Sequence, residues 1–328
     1  MSLAYRYATR LNSFRNGEWG GKKPGTLDLI GRAAQAKGLT AVDLNYPDHV
    51  QGHTPQQLKD GLAAHGISLN GFATRYYTEA AFKLGAFTHP EARVRRAAID
   101  LTKRGIDEML ELGGRLMTLW MGQDGFDYSF QVDYQRMWDW TLEALAEVSD
   151  HDRGVDISIE YKPNEPRSFA LMPDMATTLL AIKEAGRKNM GVTLDFAHVL
   201  YADEMPAFAA TLAARHSRLL GIHLNDGYGK RDDGLMVAAV HPVQTLELLV
   251  ALKRMAYDGV IYFDTFPDTT NLDPVAECAG NIATVEALAR LADGLVKDAA
   301  LAAATARQDA VAAQAIVSAA LYGAKPVA

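Results

Sequence analysis

"DISIEYKPNEPR", residues 156–167, decides how this chain is read. Ile157 and Ile159 alternate with Ser158 and Glu160, the pattern of a strand whose side chains point to opposite faces in turn. Glu160 and Lys162 therefore share a face while Tyr161 points away from it. Pro163 and Pro166 stop the strand at once. A buried strand that ends with an acid and an amine on one face has them aimed at something.

Seven further apolar runs flank this one. They are "LAYRYATRL" (3–11), "TAVDLNY" (40–46), "ISLNGFA" (67–73), "RLMTLWMG" (115–122), "GVTLDFAH" (191–198), "LLGIHLND" (219–226) and "VIYFDTFP" (260–267). Longer amphipathic segments alternate with them, among them 26–38, 54–66, 92–114, 134–151, 175–186, 205–217 and 242–255, and another helix follows at 273–296. Several end in Gly, the usual residue after a helix C-terminus. Such alternation predicts parallel βα units. Eight of them over about 290 residues fit a (β/α)8 TIM barrel better than an open sheet. We expect a barrel over residues 1–295 and an Ala-rich C-terminal helical extension over 296–328, read as one more helix. Its small-residue faces suit packing on a neighbouring subunit, in a homo-oligomer (dimer or tetramer); the alternative is a loose solvated tail.

Composition narrows the function. With 48% hydrophobic and 22% charged residues among 328, a large core is available and disorder is not expected. A formal net charge of −7 argues against nucleic acid as a partner, because phosphate binding relies on an excess of Lys and Arg. Cys278 is the one cysteine and cannot form an internal disulfide, which suits a reducing cytoplasm. The start lacks an apolar leader and no 18-residue apolar run follows, so no membrane association is expected.

Barrel active sites lie at the C-terminal ends of the strands. The fifth to eighth strands close as "ISIE", "VTLD", "LGIH" and "IYFD", each on a residue able to bind a metal: Glu160, Asp195, His223 and Asp264. With 40 acidic residues and nine histidines in the chain, four such endings in a row are far rarer by chance than any one alone. Three carboxylates and one imidazole make an oxygen-rich donor set, suited to Mg²⁺ or Mn²⁺, with Co²⁺ also compatible. His198, three residues past Asp195, and the loop aspartates Asp232 and Asp233 of "KRDDGL" are candidates for a second metal bridged through Asp195. The alternative for His198 is a neutral imidazole bonded to substrate, and for Asp232 and Asp233 a solvated acidic loop.

"EYKPNEPR" resembles the Glu-Pro-Lys-Pro motif of xylose isomerases. The set Asp195–His198, His223, Asp232/Asp233 and Asp264 is similar to the metal pattern of L-rhamnose isomerases in the same superfamily. "FKLGAFTHPEARVRRAAI" and "LWMGQDGFDYSFQVDY" also resemble segments of rhamnose isomerase relatives, so the likeness runs from about residue 3 to 295. The chain is shorter than either enzyme, and "DDGL" replaces the usual Asp-x-Asp-Leu. The resemblance implies a divalent-metal-dependent isomerase of a small sugar, with one structural and a second catalytic metal.

In aldose–ketose isomerisation a hydrogen passes between C1 and C2. Divalent ions holding O1 and O2 polarise the carbonyl, and a Lys ammonium nearby stabilises the developing charge. Lys162 fits that role, with Glu160 and Asp264 beside it in the catalytic group. The rivals are a ketose 3-epimerase, which by the same resemblance would use two glutamates where this chain has Asp264, and a barrel that binds sugar without turning it over. Trp120, at the end of the fourth strand, is expected either to stack on the sugar or to belong to the core, and Arg167 and Asp124 to bind sugar hydroxyls. His89 in "FTHPE" resembles a substrate-contacting histidine that shuttles a proton during ring opening. No Gly-rich phosphate cradle stands out, which favours an unphosphorylated sugar.

Overall fold

The computed structural model describes residues 4–17 and 22–323. Residue 3 of the expected first strand and residues 324–328 of the expected extension lie outside the described residues. Among the described residues ten strands form: β1 (Arg6–Arg10), β2 (Ala41–Tyr46), β3 (Ser68–Thr74), β4 (Leu116–Leu119), β5 (Gly125–Phe126), β6 (Asp156–Glu160), β7 (Phe169–Ala170), β8 (Met190–Asp195), β9 (Leu219–Leu224) and β10 (Val260–Phe263). Eight of them close a parallel barrel in the order β1-β10-β9-β8-β6-β4-β3-β2, while β5 and β7 pair antiparallel above it. This is the (β/α)8 architecture expected from the alternation.

Twelve α-helices accompany the strands among the described residues: α1 (Thr26–Ala33), α2 (Pro55–Ala64), α3 (Ala92–Glu111), α4 (Tyr134–His151), α5 (Met175–Ala185), α6 (Phe196–Tyr201), α7 (Pro206–His216), α8 (Pro242–Arg254), α9 (Pro267–Thr270), α10 (Pro274–Val296), α11 (Ala299–Ala306) and α12 (Ala310–Tyr322). Local chemistry sets their ends. Thr54 and Gln57 form a reciprocal capping box at α2, with Pro55 in the first turn. At α5, Asp174 caps the N-terminus and Gly186 closes the helix at φ +67. The outer helices bury one face each. On α8, Leu246, Leu248, Leu249 and Leu252 are almost fully enclosed, each worth about 1.5–3 kcal/mol relative to an exposed position.

Parallel strands covered by helices are apolar throughout, so their inward face shows only where polar residues interrupt it. Ser158 Oγ and Thr193 Oγ1 bond across β6 and β8 at 2.6 Å inside the barrel. Glu160, two residues beyond Ser158, faces the same interior. Tyr161 turns outward, and its hydroxyl donates to Glu204 Oε2 at 2.5 Å. The register aligns Asp195 with His223, and His223 with Tyr262.

Two expectations are corrected. "GVTLDFAH" is not one strand: β8 stops at Asp195, whose side chain accepts from the His198 backbone N–H at 3.0 Å and starts α6. The Ala-rich tail is two helices, because Gln308 sits at φ +56 and Asp309 caps a new start at α12. Ile316, Val317 and Leu321 of α12 pack on the barrel's apolar core. Among the described residues no helix is long and apolar enough to cross a membrane.

Candidate active site

Four strand ends converge at the top of the barrel. Glu160 ends β6, Asp195 ends β8, His223 is the penultimate residue of β9, and Asp264 directly follows β10. Each offers a ligand atom, and the four atoms lie within 4.8 Å of one another. His223 Nδ1 is 3.2 Å from Glu160 Oε1, and its ring lies against Tyr262 with centroids 4.2 Å apart. The group fits a hard divalent cation, because buried carboxylates this close repel unless a positive charge compensates them.

A second group adjoins the first. Asp232 Oδ2 is 3.1 Å from His198 Nε2 and 3.2 Å from Lys162 Nζ, and its Oδ1 is buried without a partner. Asp233 turns elsewhere: Oδ2 accepts from the Tyr228 backbone at 2.8 Å and Oδ1 from Arg231 at 2.8 Å. Asp232 is thus the loop aspartate that reaches the site. Gly234 makes this possible, since at φ +56 a Cβ there would meet the Phe266 ring at 2.3 Å.

Lys162 is enclosed between Asp232 and Glu165 Oε2, the latter at 2.9 Å, and stands 5.3 Å from the Trp120 ring. Glu165 adopts φ +66 before a cis bond to Pro166. Burial alone would lower the ammonium pKa, but Asp232 and Glu165 raise it, so Lys162 stays cationic. Burial also works against charge on His223 and His198; the Glu160 carboxylate lifts His223 to about 9, and Asp195 and Asp232 lift His198 to about 10. Burial pushes Asp195 up to about 6, partly offset by His198, and Asp264 up to about 7, partly offset by Arg10. Asp232 is held well below the usual carboxylate range by His198 and Lys162, against its burial.

Glu160, Lys162, His198, His223, Asp232 and Asp264 all border one cavity of about 190 Å³, with Trp120 in its wall. Asp195 is buried and does not line it.

Other expected residues are not brought to this cavity. His89 Nδ1 accepts from the Glu91 backbone at 3.0 Å. Arg167 donates to the Lys83 carbonyl at 3.0 Å and pairs with Asp127 at 3.0 Å. Asp124 accepts from the Ala86 and Thr88 backbones at 3.1 and 2.7 Å, and borders only a side cavity of about 20 Å³ shared with Trp120, Glu160 and Lys162. All three are bound to loop backbone or loop carboxylates, which is where their placement comes from.

Sequence reasoning missed three neighbours. Asn225 donates to both oxygens of Asp195 at 3.3 and 3.2 Å and to the Asp264 carbonyl at 3.1 Å, tying β8 to β10. Arg10 pairs with Asp264 at 3.8 Å and with Asp268 at 2.9 Å. Arg75 borders the cavity from the opposite wall. Asn225 had a signal: it stands two residues after His223, so it shares the inward face.

The family model for a xylose isomerase-like TIM barrel matches residues 31–292. The chain belongs to that family. The chain is 28% identical over 241 residues to the xylose isomerase of Thermus thermophilus, covering 69% of this chain and 62% of that protein. It therefore spans less than two thirds of the length of this relative, as it does of the 26% identical xylose isomerase of Thermus caldophilus, 64% covered. Among solved structures, a D-allulose 3-epimerase from Methylomonas sp. superposes with a TM-score of 0.68 at 17% identity, covering 87% of this chain and 97% of that one. An L-ribulose 3-epimerase gives 0.68 at 16% identity, with 90% and 99% covered. At these identities the likeness is one of fold. The family foreshadowed by "EYKPNEPR" is the family found.

Proposed function

We propose that the chain is an aldose–ketose isomerase acting on an open-chain sugar, dependent on a divalent ion held by Glu160, Asp195, His223 and Asp264. His198 and Asp232, with Asp195 shared, would hold a second. Mg²⁺ and Mn²⁺ suit the oxygen-rich donor set, and Co²⁺ is compatible. When bound, such ions supply Lewis-acid polarisation of a carbonyl and a template for adjacent oxygens.

One observation carries the reading: Lys162 Nζ stands beside the carboxylate cluster, lining the same cavity, with its charge locked by Asp232 and Glu165. In the ring-opened aldose, the hydrogen on C2 passes with its bonding electrons to C1. O2 gives up its hydroxyl proton and becomes a carbonyl oxygen as O1 gains negative charge, and O1 then takes up a proton, so that the O2 proton is returned overall to O1. A fixed ammonium stabilises that charge at no cost of reorganisation. Trp120 offers an apolar face for the C–H side of the sugar.

A ketose 3-epimerase would need a base on each face of C3. Asp264 is short and drawn toward Arg10 and the cluster, and Lys162 stays protonated, so neither serves as the second base. The activities of the similar proteins, xylose isomerase and sugar 3-epimerases, agree with a sugar substrate.

On the same reading, residues 1–295 form the catalytic barrel and α11 and α12 serve contact with a second copy. The buried Cys278 suits a reducing cytoplasm. A screen of C4 to C6 aldoses and ketoses with Mn²⁺ tests the proposal. Interconversion of at least one pair is expected, and inertness toward all of them in metal-loaded, folded protein would count against it.

A further inference from the structure

The cavity has two unlike walls. Strands β6 to β10 supply the carboxylates, imidazoles and Lys162, whereas β1 and the turn after β3 supply Arg10 and Arg75. The two arginines differ. Arg10 is spoken for: it bonds Asp268 at 2.9 Å, faces Asp264 and stacks on Phe266 at 4.8 Å. Arg75 is not. Its side chain is 13% exposed, and the one carboxylate in ion-pair range among the described residues is Asp48, at 3.7 Å, too far for a hydrogen bond. Its Nε is buried with no hydrogen-bond partner, and its guanidinium lies over Tyr77 at 4.5 Å.

A guanidinium is always charged, and burying one with unused donors is costly unless a partner arrives. A neutral hydroxyl can accept one of its N–H bonds but does not compensate its charge. The planar fork of Arg matches a carboxylate or phosphate, which can take two parallel N–H···O bonds. The Tyr77 ring packs against the guanidinium and favours its charge. Arg10, fixed nearby, adds positive potential without being consumed.

We propose that the substrate is an acidic sugar, whose terminal carboxylate or phosphate docks on Arg75 while its reacting carbons face Lys162. The assignment of the reacting end rests on the isomerase reading; the anion site itself does not.

The test uses the full chain loaded with Mn²⁺ and titration calorimetry. The probes are matched sets: D-glucose, D-glucuronate and D-glucose 6-phosphate, with the corresponding galactose and mannose series. In at least one set, an acidic member should bind about tenfold or more tightly than its neutral parent, and the carboxylate and phosphate arms tell which oxyanion is taken. Arg75→Met should collapse that preference by about ten- to a hundredfold, and Arg75→Lys, which keeps charge but not the fork, should restore part of it. Equal or better binding of the neutral sugar in every set overturns the proposal, as does a preference that survives Arg75→Met. Turnover of the same sets separates the two readings. Acidic sugars bound through Arg75 but never interconverted would sink the isomerase and keep the anion site. Neutral sugars interconverted without acid preference would do the reverse.

Discussion

Replacing Lys162 with Met keeps the alkyl stem and removes the ammonium. In the folded protein that ammonium lies 2.9 Å from Glu165 Oε2 and 3.2 Å from Asp232 Oδ2, with a side chain only 8% exposed. A preorganised donor aimed at charge that appears only in the transition state is worth about 3–4 kcal/mol, or 10²–10³ in kcat. The substitution should therefore lower kcat and kcat/KM together, leaving KM within about threefold. Stability changes less. Glu165 is 42% exposed and regains water, while Asp232 keeps His198 as partner. We expect a loss of about 1–2 kcal/mol, a fall of only a few degrees in Tm for a chain this size. Affinity for Mn²⁺ should not fall, because one positive charge beside the carboxylates has gone. The assay is steady-state interconversion on the best sugar, beside calorimetry with Mn²⁺ and thermal melting. Wild-type kcat in a folded, metal-loaded Lys162→Met protein would refute the carbonyl role and make the lysine structural.

Three further outcomes are expected. Exhaustive chelation should abolish turnover, and Mn²⁺ or Mg²⁺ should restore it; full activity at a verified metal content of nil would contradict this. Asp232→Asn should cut activity or metal affinity by about 10–100-fold, whereas Asp233→Asn, which affects only the loop bonds to Tyr228 and Arg231, should stay within about threefold; the reverse order would reassign the second site. In metal-free protein, His223 is raised to about 9, against an ordinary 6.5. The stability it contributes is complete below pH ~6.5 and fades as pH rises through about 9, and metal must displace its proton below that pH. Mn²⁺ affinity should accordingly climb between pH 6 and 9 with proton release, seen by calorimetry in buffers of different ionisation enthalpy; a flat profile would show that His223 is already neutral.

The barrel and four of its site residues were readable because parallel strands covered by helices are apolar to their ends, so Glu160, Asp195, His223 and Asp264 interrupt an otherwise continuous pattern. Strand alternation placed Lys162 beside Glu160 and sent Tyr161 outward. What stayed hidden depends on distant chain segments meeting. Arg10 reaches Asp264 from the other end of the chain, and nothing local distinguishes Asp232 from Asp233 until the turn at Gly234 folds against Phe266. His89, Asp124 and Arg167 carry the right chemistry, but they sit in loops outside the main cavity, where backbone groups bond His89 Nδ1, Asp124 Oδ1 and an Arg167 Nη. Asp195 misled the reading of β8, since one carboxylate serves both as a strand end and as the cap of α6.

The central claim is that hydrogen moves directly between C1 and C2. The enzyme, loaded with Mn²⁺, should be run in D₂O on its best ketose while NMR follows deuterium at each carbon. A hydride shift leaves C1 and C2 essentially free of label as aldose accumulates. Deuterium at C3 together with a C3 epimer would contradict the isomerase assignment while leaving the barrel and its carboxylate cluster intact. Heavy label at C1 or C2 would keep isomerisation but replace the hydride shift with an enediol route.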